Sequence, residues 1–117
     1  MAQISQELRR TSDTIRQLSG AGTNGWLRPP YGDRDRRVDT AVGGAGYRYE
    51  LMWSVDTLGW KGVSPTTVLQ RSVAAATPGE IILMHVGSAS TDAAALPAVI
   101  AALRARGYGF VLASALV

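Results

Sequence analysis

The chain has 117 residues and a net charge of +3, with 46% hydrophobic and 18% charged residues. That length fits one domain with one core. The lack of cysteine excludes a disulfide framework, thiolate chemistry and cysteine-based metal sites. No apolar run approaches membrane-spanning length, and Ala2 to Arg16 is polar and amphipathic, unlike a signal peptide.

Gln3 to Leu18 carries Ile4, Leu8, Ile15 and Leu18 at a spacing that puts all of them on one helical face. Gly20 and Gly22 end that helix. Trp26-Leu27 reads as a short strand that leads to Arg28. Pro29 and Pro30 forbid its continuation as a central strand. Asp33 to Ala45 reads as a weak second helix, closed by Gly43, Gly44 and Gly46. Within it Arg34, Arg36 and Arg37 alternate with Asp33, Asp35 and Asp39. That pattern marks a solvated helix face rather than a nucleic-acid patch, and no aromatic stacking motif accompanies it.

Tyr49 to Val55 is apolar and aromatic and reads as a strand. Ser64-Pro65 is an N-cap and first-turn pair, opening a helix to about Ala76. Pro78-Gly79 breaks the chain before Ile81 to Val86, the clearest buried strand. Asp92 to Arg106 is an Ala/Leu helix closed by Gly107, and Phe110 to Leu112 reads as a last strand. Strands alternating with helices imply an α/β fold with parallel pairing, and burial on both faces explains the continuous apolar runs.

Arg28, Asp56 and His85 each follow an apolar run, at the strand end where parallel α/β folds build their sites. Each also has a plain structural reading. Arg28 could be a surface residue at a rigid turn. Asp56 could cap the next turn through its carboxylate. A lone histidine at the end of an apolar strand is usually just packed there. Trp26, Trp53 and Trp60 are more often packing than sugar platforms, and Trp60 is the best placed of them for carbohydrate. Gly43-Gly44-Ala45-Gly46 lacks the spacing of a phosphate loop and follows a helix rather than a strand.

Taken together, Arg28-Pro29-Pro30-Tyr31-Gly32, Val55-Asp56-Thr57-Leu58-Gly59-Trp60 and Leu83-Met84-His85 resemble the last three of five motifs of the NodB-like polysaccharide deacetylases. The resemblance extends through Ala95-Leu96-Pro97 and Leu103 to Tyr108. It implies the C-terminal part of a distorted (β/α) barrel, a hydrolase that removes N- or O-acetyl groups from chitin, peptidoglycan or xylan. It also implies zinc or a similar divalent ion in the full-length family. Arg28 would orient a catalytic aspartate base, and Tyr31 would offer its backbone N–H to the oxyanion. Leu83 would line the acetyl pocket, His85 would protonate the leaving group, Asp56 would hold that histidine, and Trp60 would wall the groove. The family usually has a second aspartate where this chain has Gly59, and Val86 stands where an aspartate often follows the histidine.

The first two family motifs, a Thr-Phe-Asp-Asp strand end and a His-x-x-x-His segment, supply the base and the metal ligands. Neither occurs here, and the chain has a single histidine. A complete barrel takes about 250 residues. The expectation is therefore a partial domain over residues 1–117 with no metal site of its own, inactive alone. Its unpaired strand edges favour self-association or pairing with the missing half. The alternative is a module that binds glycan without cleaving it. The expected partner is an acetylated polysaccharide, with no nucleic acid and no membrane span. The compartment is not readable, although the family is often extracytoplasmic. The arginine and alanine bias points by association to a GC-rich bacterial source.

Overall fold

A computed structural model describes residues 2–117. The described chain is α/β with parallel strands and divides into two compact units, Met1–Met52 and Trp53–Val117. One core was expected, and the division has a visible cause. The expected strand from Tyr49 to Val55 is two short strands, β2 (Tyr49–Glu50) and β3 (Val55–Asp56), which pair with different partners. An apolar run reports burial and not which neighbour a strand pairs with.

The first unit runs α1 (Ala2–Ser19), β1 (Trp26–Leu27), α2 (Arg36–Gly44), β2. β1 and β2 pair in parallel across the α2 crossover, with Trp26 opposite Tyr49. Those two rings stack with centroids 4.5 Å apart, the kind of cross-strand pair that fixes register. α2 starts at Arg36 rather than Asp33 because the Asp35 carboxylate caps it, accepting from Val38 N–H at 2.8 Å. It buries Ala41 and Val42. On α1, Ile4 and Leu8 are half-buried, whereas Leu18 at the C-terminal end is 84% exposed. The apolar face read from the sequence is thus covered only over its first half.

The second unit runs β3, α3 (Pro65–Ala74), β4 (Ile82–Leu83), α4 (Asp92–Ala105). β3 and β4 are again parallel, with Val55 opposite Ile82 and Asp56 opposite Leu83. The Ser64 hydroxyl caps α3, accepting from Thr67 N–H at 3.1 Å, with Pro65 in the first turn. α3 and α4 pack together over Val68, Val73, Ala95, Val99 and Leu103. The fully buried Ser72 returns its hydroxyl to Val68 C=O, so it costs no unpaired group. The Tyr108 hydroxyl donates to Ala76 C=O at 2.9 Å, tying the end of α4 to the end of α3.

Two strand expectations change. Ile81 to Val86 narrows to β4, so His85 lies two residues beyond the ladder. Phe110 to Leu112 is not a strand; all three side chains are exposed, and among the described residues no strand pairs with them. Strand propensity describes a pleated, half-buried surface and needs a neighbour to act on. No helix of the described residues is long and apolar enough to cross a membrane.

Candidate functional site

β3 ends at Asp56, and the next four residues form a tight turn. The Asp56 carboxylate accepts Leu58 N–H at 2.9 Å, which supports Leu58 in the left-handed region at φ 60°. The same oxygen, Oδ1, lies 2.8 Å from His85 Nε2. Asp56 therefore shapes its own turn and also holds the histidine. Burial pushes its carboxyl upward. The His85 hydrogen bond, the Leu58 N–H and the charges of His85 and Arg71 outweigh that, so its pKa lies below the ordinary value of 3.8. Arg71 on α3 donates through Nε and Nη2 to the Asp56 carbonyl at 3.1 and 3.0 Å, fixing the backbone of the turn as well.

His85 is held at its backbone too. Its N–H donates to Asp92 Oδ2, and its carbonyl accepts from Ser90 Oγ at 2.9 Å. Asp92, the first residue of α4, is 2% exposed and also accepts from the Thr57 hydroxyl at 2.9 Å. A carboxylate at a helix N-terminus is favoured by the helix dipole as well as by these donors. Trp60 flanks the pair, with ring centroids 6.4 Å apart and the Trp60 side chain 52% exposed. Lys61 Nζ lies 5.2 Å from the Trp60 ring. Leu83 sits in β4 opposite Asp56, and its carbonyl accepts from Thr57 N–H.

Asp56, His85, Trp60 and Leu83 are thus gathered in the second unit. Arg28 and Tyr31 belong to the first. Arg28 Nε donates to Leu51 C=O at 3.1 Å, bracing the end of the β1–β2 pair. Tyr31 is fully exposed and sits at φ 59°, unusual for a residue with a Cβ. Gly32 N–H and Asp33 N–H close back onto Pro29 C=O and Pro30 C=O and hold the turn. In the same unit Arg34 meets Asp39 with Nε and Nη2 at 3.2 and 2.9 Å, so the Arg/Asp run is an exposed ion-paired surface.

The sequence reading missed Asp92, Thr57, Ser90 and Arg71. Ser90-Thr91-Asp92 ahead of an Ala/Leu run is an N-terminal helix signal, but nothing local says that it holds His85. Gly59 is the other clue. Its φ is not positive, so it is not a glycine for conformational reasons. A Cβ there would overlap the Asp92 carboxylate.

Among the described residues no group of three or more His, Cys, Asp or Glu side chains could hold a metal ion. The residues present therefore do not fit a divalent ion.

Comparison with known proteins gives a consistent picture. The family model described as polysaccharide deacetylase matches residues 1–50. The bifunctional xylanase/xylan deacetylase of Cellvibrio japonicus is 33% identical over 105 residues, 90% of this chain and 15% of that protein. The peptidoglycan-N-acetylglucosamine deacetylase of Listeria monocytogenes is 38% identical over 85 residues, 73% of this chain and 17% of that protein. A solved T48 deacetylase with substrate superposes at a TM-score of 0.82 with 32% identity, covering 97% of this chain and 54% of that one. The chain thus spans only part of the length of the proteins it matches.

Proposed function

Because this chain belongs to the polysaccharide deacetylase family, we propose that it is part of a distorted (β/α) barrel that removes acetyl groups from a glycan. In that domain His85 delivers a proton to the leaving amine or alcohol. The observation that carries this reading is the 2.8 Å contact between His85 Nε2 and Asp56 Oδ1. With Nε2 bound to the carboxylate, Nδ1 is the ring nitrogen that can carry a proton to the leaving atom. Asp56 stabilises the protonated ring, and Arg71 and Leu58 N–H hold Asp56 in place.

The other roles follow from the family resemblance. Arg28 orients the aspartate base of the complete domain. Tyr31 N–H stabilises the oxyanion, a contribution on the order of 3 kcal/mol for such donors. Leu83 lines the acetyl pocket and Trp60 faces the sugar. Zinc or a similar ion, if the complete domain binds one, would supply Lewis-acid chemistry at the acetyl group. On this reading the base and the metal ligands belong to the complete domain, and the prediction is that the chain alone releases no acetate.

The test is acetate release from acetylated chito-oligosaccharide, peptidoglycan fragments and xylan. It compares the chain with a chimaera in which these residues replace the matching part of the Listeria relative. The expected result is no release by the chain with added zinc and release by the chimaera. His85→Ala should slow the chimaera by roughly 10²–10⁴-fold. Activity of the chain alone, or an unaffected His85→Ala chimaera, refutes the corresponding part.

A second reading is glycan binding without cleavage, favoured by the half-exposed Trp60 beside His85. Calorimetric titration of the chain with the same oligomers tests it, and no heat ends it. Self-association is the structural alternative, favoured by the exposed Phe110, Val111 and Leu112. Sedimentation that stays monomeric at high concentration refutes it.

A further inference from the structure

We infer that Asp92 is a positioning residue for His85, and that it supplies from the start of α4 the carboxylate that position 59 lacks. This rests on the reading of His85 as the proton donor. Four observations converge on it. Asp92 is 2% exposed, and its Oδ2 accepts both His85 N–H and the Thr57 hydroxyl. Its Oδ1 is buried with no hydrogen-bond partner among the described residues. The carboxylate fills the space that a side chain on Gly59 would enter. Ser90, two residues earlier, takes the His85 carbonyl.

A buried carboxylate is costly unless fully paired. One that leaves an oxygen unpaired needs a reason beyond helix capping. Thr91 and Ser90 already serve the start of α4: Ala95 N–H bonds to Thr91 C=O, and Asp92 N–H to Ser90 Oγ. What Asp92 adds is a fixed acceptor for the backbone of the one histidine. His85 lies beyond the last ladder residue of β4. Without that anchor, only the Ser90 hydroxyl would hold its main chain, which leaves the aim of the ring at Asp56 less fixed. Gly59 is the complement. Its missing side chain lets α4 bring a carboxylate to within reach of the Asp56–His85 pair. Positions 59 and 92 therefore compete for one space, and a carboxylate from either can fill it.

The test uses the single histidine, whose ring signals need no assignment. A ring N–H held by a carboxylate exchanges slowly enough to be seen in proton NMR near freezing, while that of a free imidazole does not. The chain should show this proton. Asp92→Ala should lose it and speed exchange of the His85 amide at least tenfold. Asp92→Asn, which keeps an acceptor oxygen, should retain it. The double variant Gly59→Asp/Asp92→Ala should restore the ring proton from the other side of the same space. A folded Asp92→Ala that keeps the ring proton overturns the inference. If Asp92→Ala does not fold, the double variant decides: folded with the ring proton supports the inference, and unfolded or lacking it overturns it. The readout is the ring and not acetate release. A chimaera that is inactive for other reasons therefore refutes the proposed function while leaving the role of Asp92 to be read separately.

Discussion

His85 and Asp56 meet at 2.8 Å through an oxygen that also accepts Leu58 N–H at 2.9 Å. The carboxylate is thus held by its own turn as well as by the histidine. A side chain already ordered by its own turn gives up less freedom in forming the pair.

This arrangement has a pH signature. Asp56 has a folded pKa below its ordinary value of 3.8. Between the two values the unfolded chain binds the extra proton and the folded chain does not. The stabilisation is therefore fully present above the ordinary value and is lost as pH falls through the lower, folded one. Urea unfolding followed through that acid range should show stability dropping with pH, and Asp56→Asn should remove part of that slope. Asp39, also lowered by its bond to Arg34, is exposed and adds a second, salt-sensitive component. Repeating the series at high salt should suppress the Asp39 component more than that of Asp56. An Asp56→Asn variant with the parent's slope would show that the pair does not form in solution.

The cap on α3 offers a check on the second unit. Ser64 Oγ accepts Thr67 N–H, so Ser64→Ala should cost about 1 kcal/mol. Leu103→Ala, at a 5% exposed position in the α3–α4 core, should cost about 3 kcal/mol by leaving a cavity. Chemical denaturation of both variants checks the order, Leu103 above Ser64. The reverse order would mean that α3 and α4 are loosely packed.

Gly59→Ala should destabilise the chain by about 1–3 kcal/mol, because the new methyl overlaps the Asp92 carboxylate. The backbone there does not require glycine. The cost should therefore fall sharply when Asp92→Ala is combined with it, and a double-mutant cycle measures that coupling. Simple additivity would mean that the two positions do not share space.

These positions also show what the sequence could and could not reveal. Ser64-Pro65 and the start of α4 at Asp92 were legible because capping is local chemistry. Asp56 and His85 stood out because each follows an apolar run. The split of Tyr49 to Val55 into β2 and β3 was not legible, since alternative strand partners leave no trace in hydropathy. Nor was the absence of a strand at Phe110 to Leu112, where suitable residues lack a neighbour. The Gly59–Asp92 approach spans 33 residues of chain. Only three-dimensional packing could reveal that a glycine in one motif makes room for an acid outside all three.

Arg71 separates charge from geometry at Asp56. Its guanidinium donates twice to the Asp56 carbonyl, and its charge contributes to the lowered carboxyl. Lysine keeps the charge but cannot reproduce the two-pronged contact. Arg71→Ala should therefore raise the Asp56 carboxyl toward its ordinary value and loosen the turn. Arg71→Lys should preserve more of the lowering while still loosening the backbone. Carbon-detected NMR titration of the Asp56 carboxyl reads the first effect, and amide exchange at Leu58 reads the second. If both variants shift the carboxyl equally, Arg71 acts on Asp56 only through the shape of the turn. If neither speeds Leu58 exchange, the carbonyl contact does not hold that turn, and the Asp56 side chain alone fixes it.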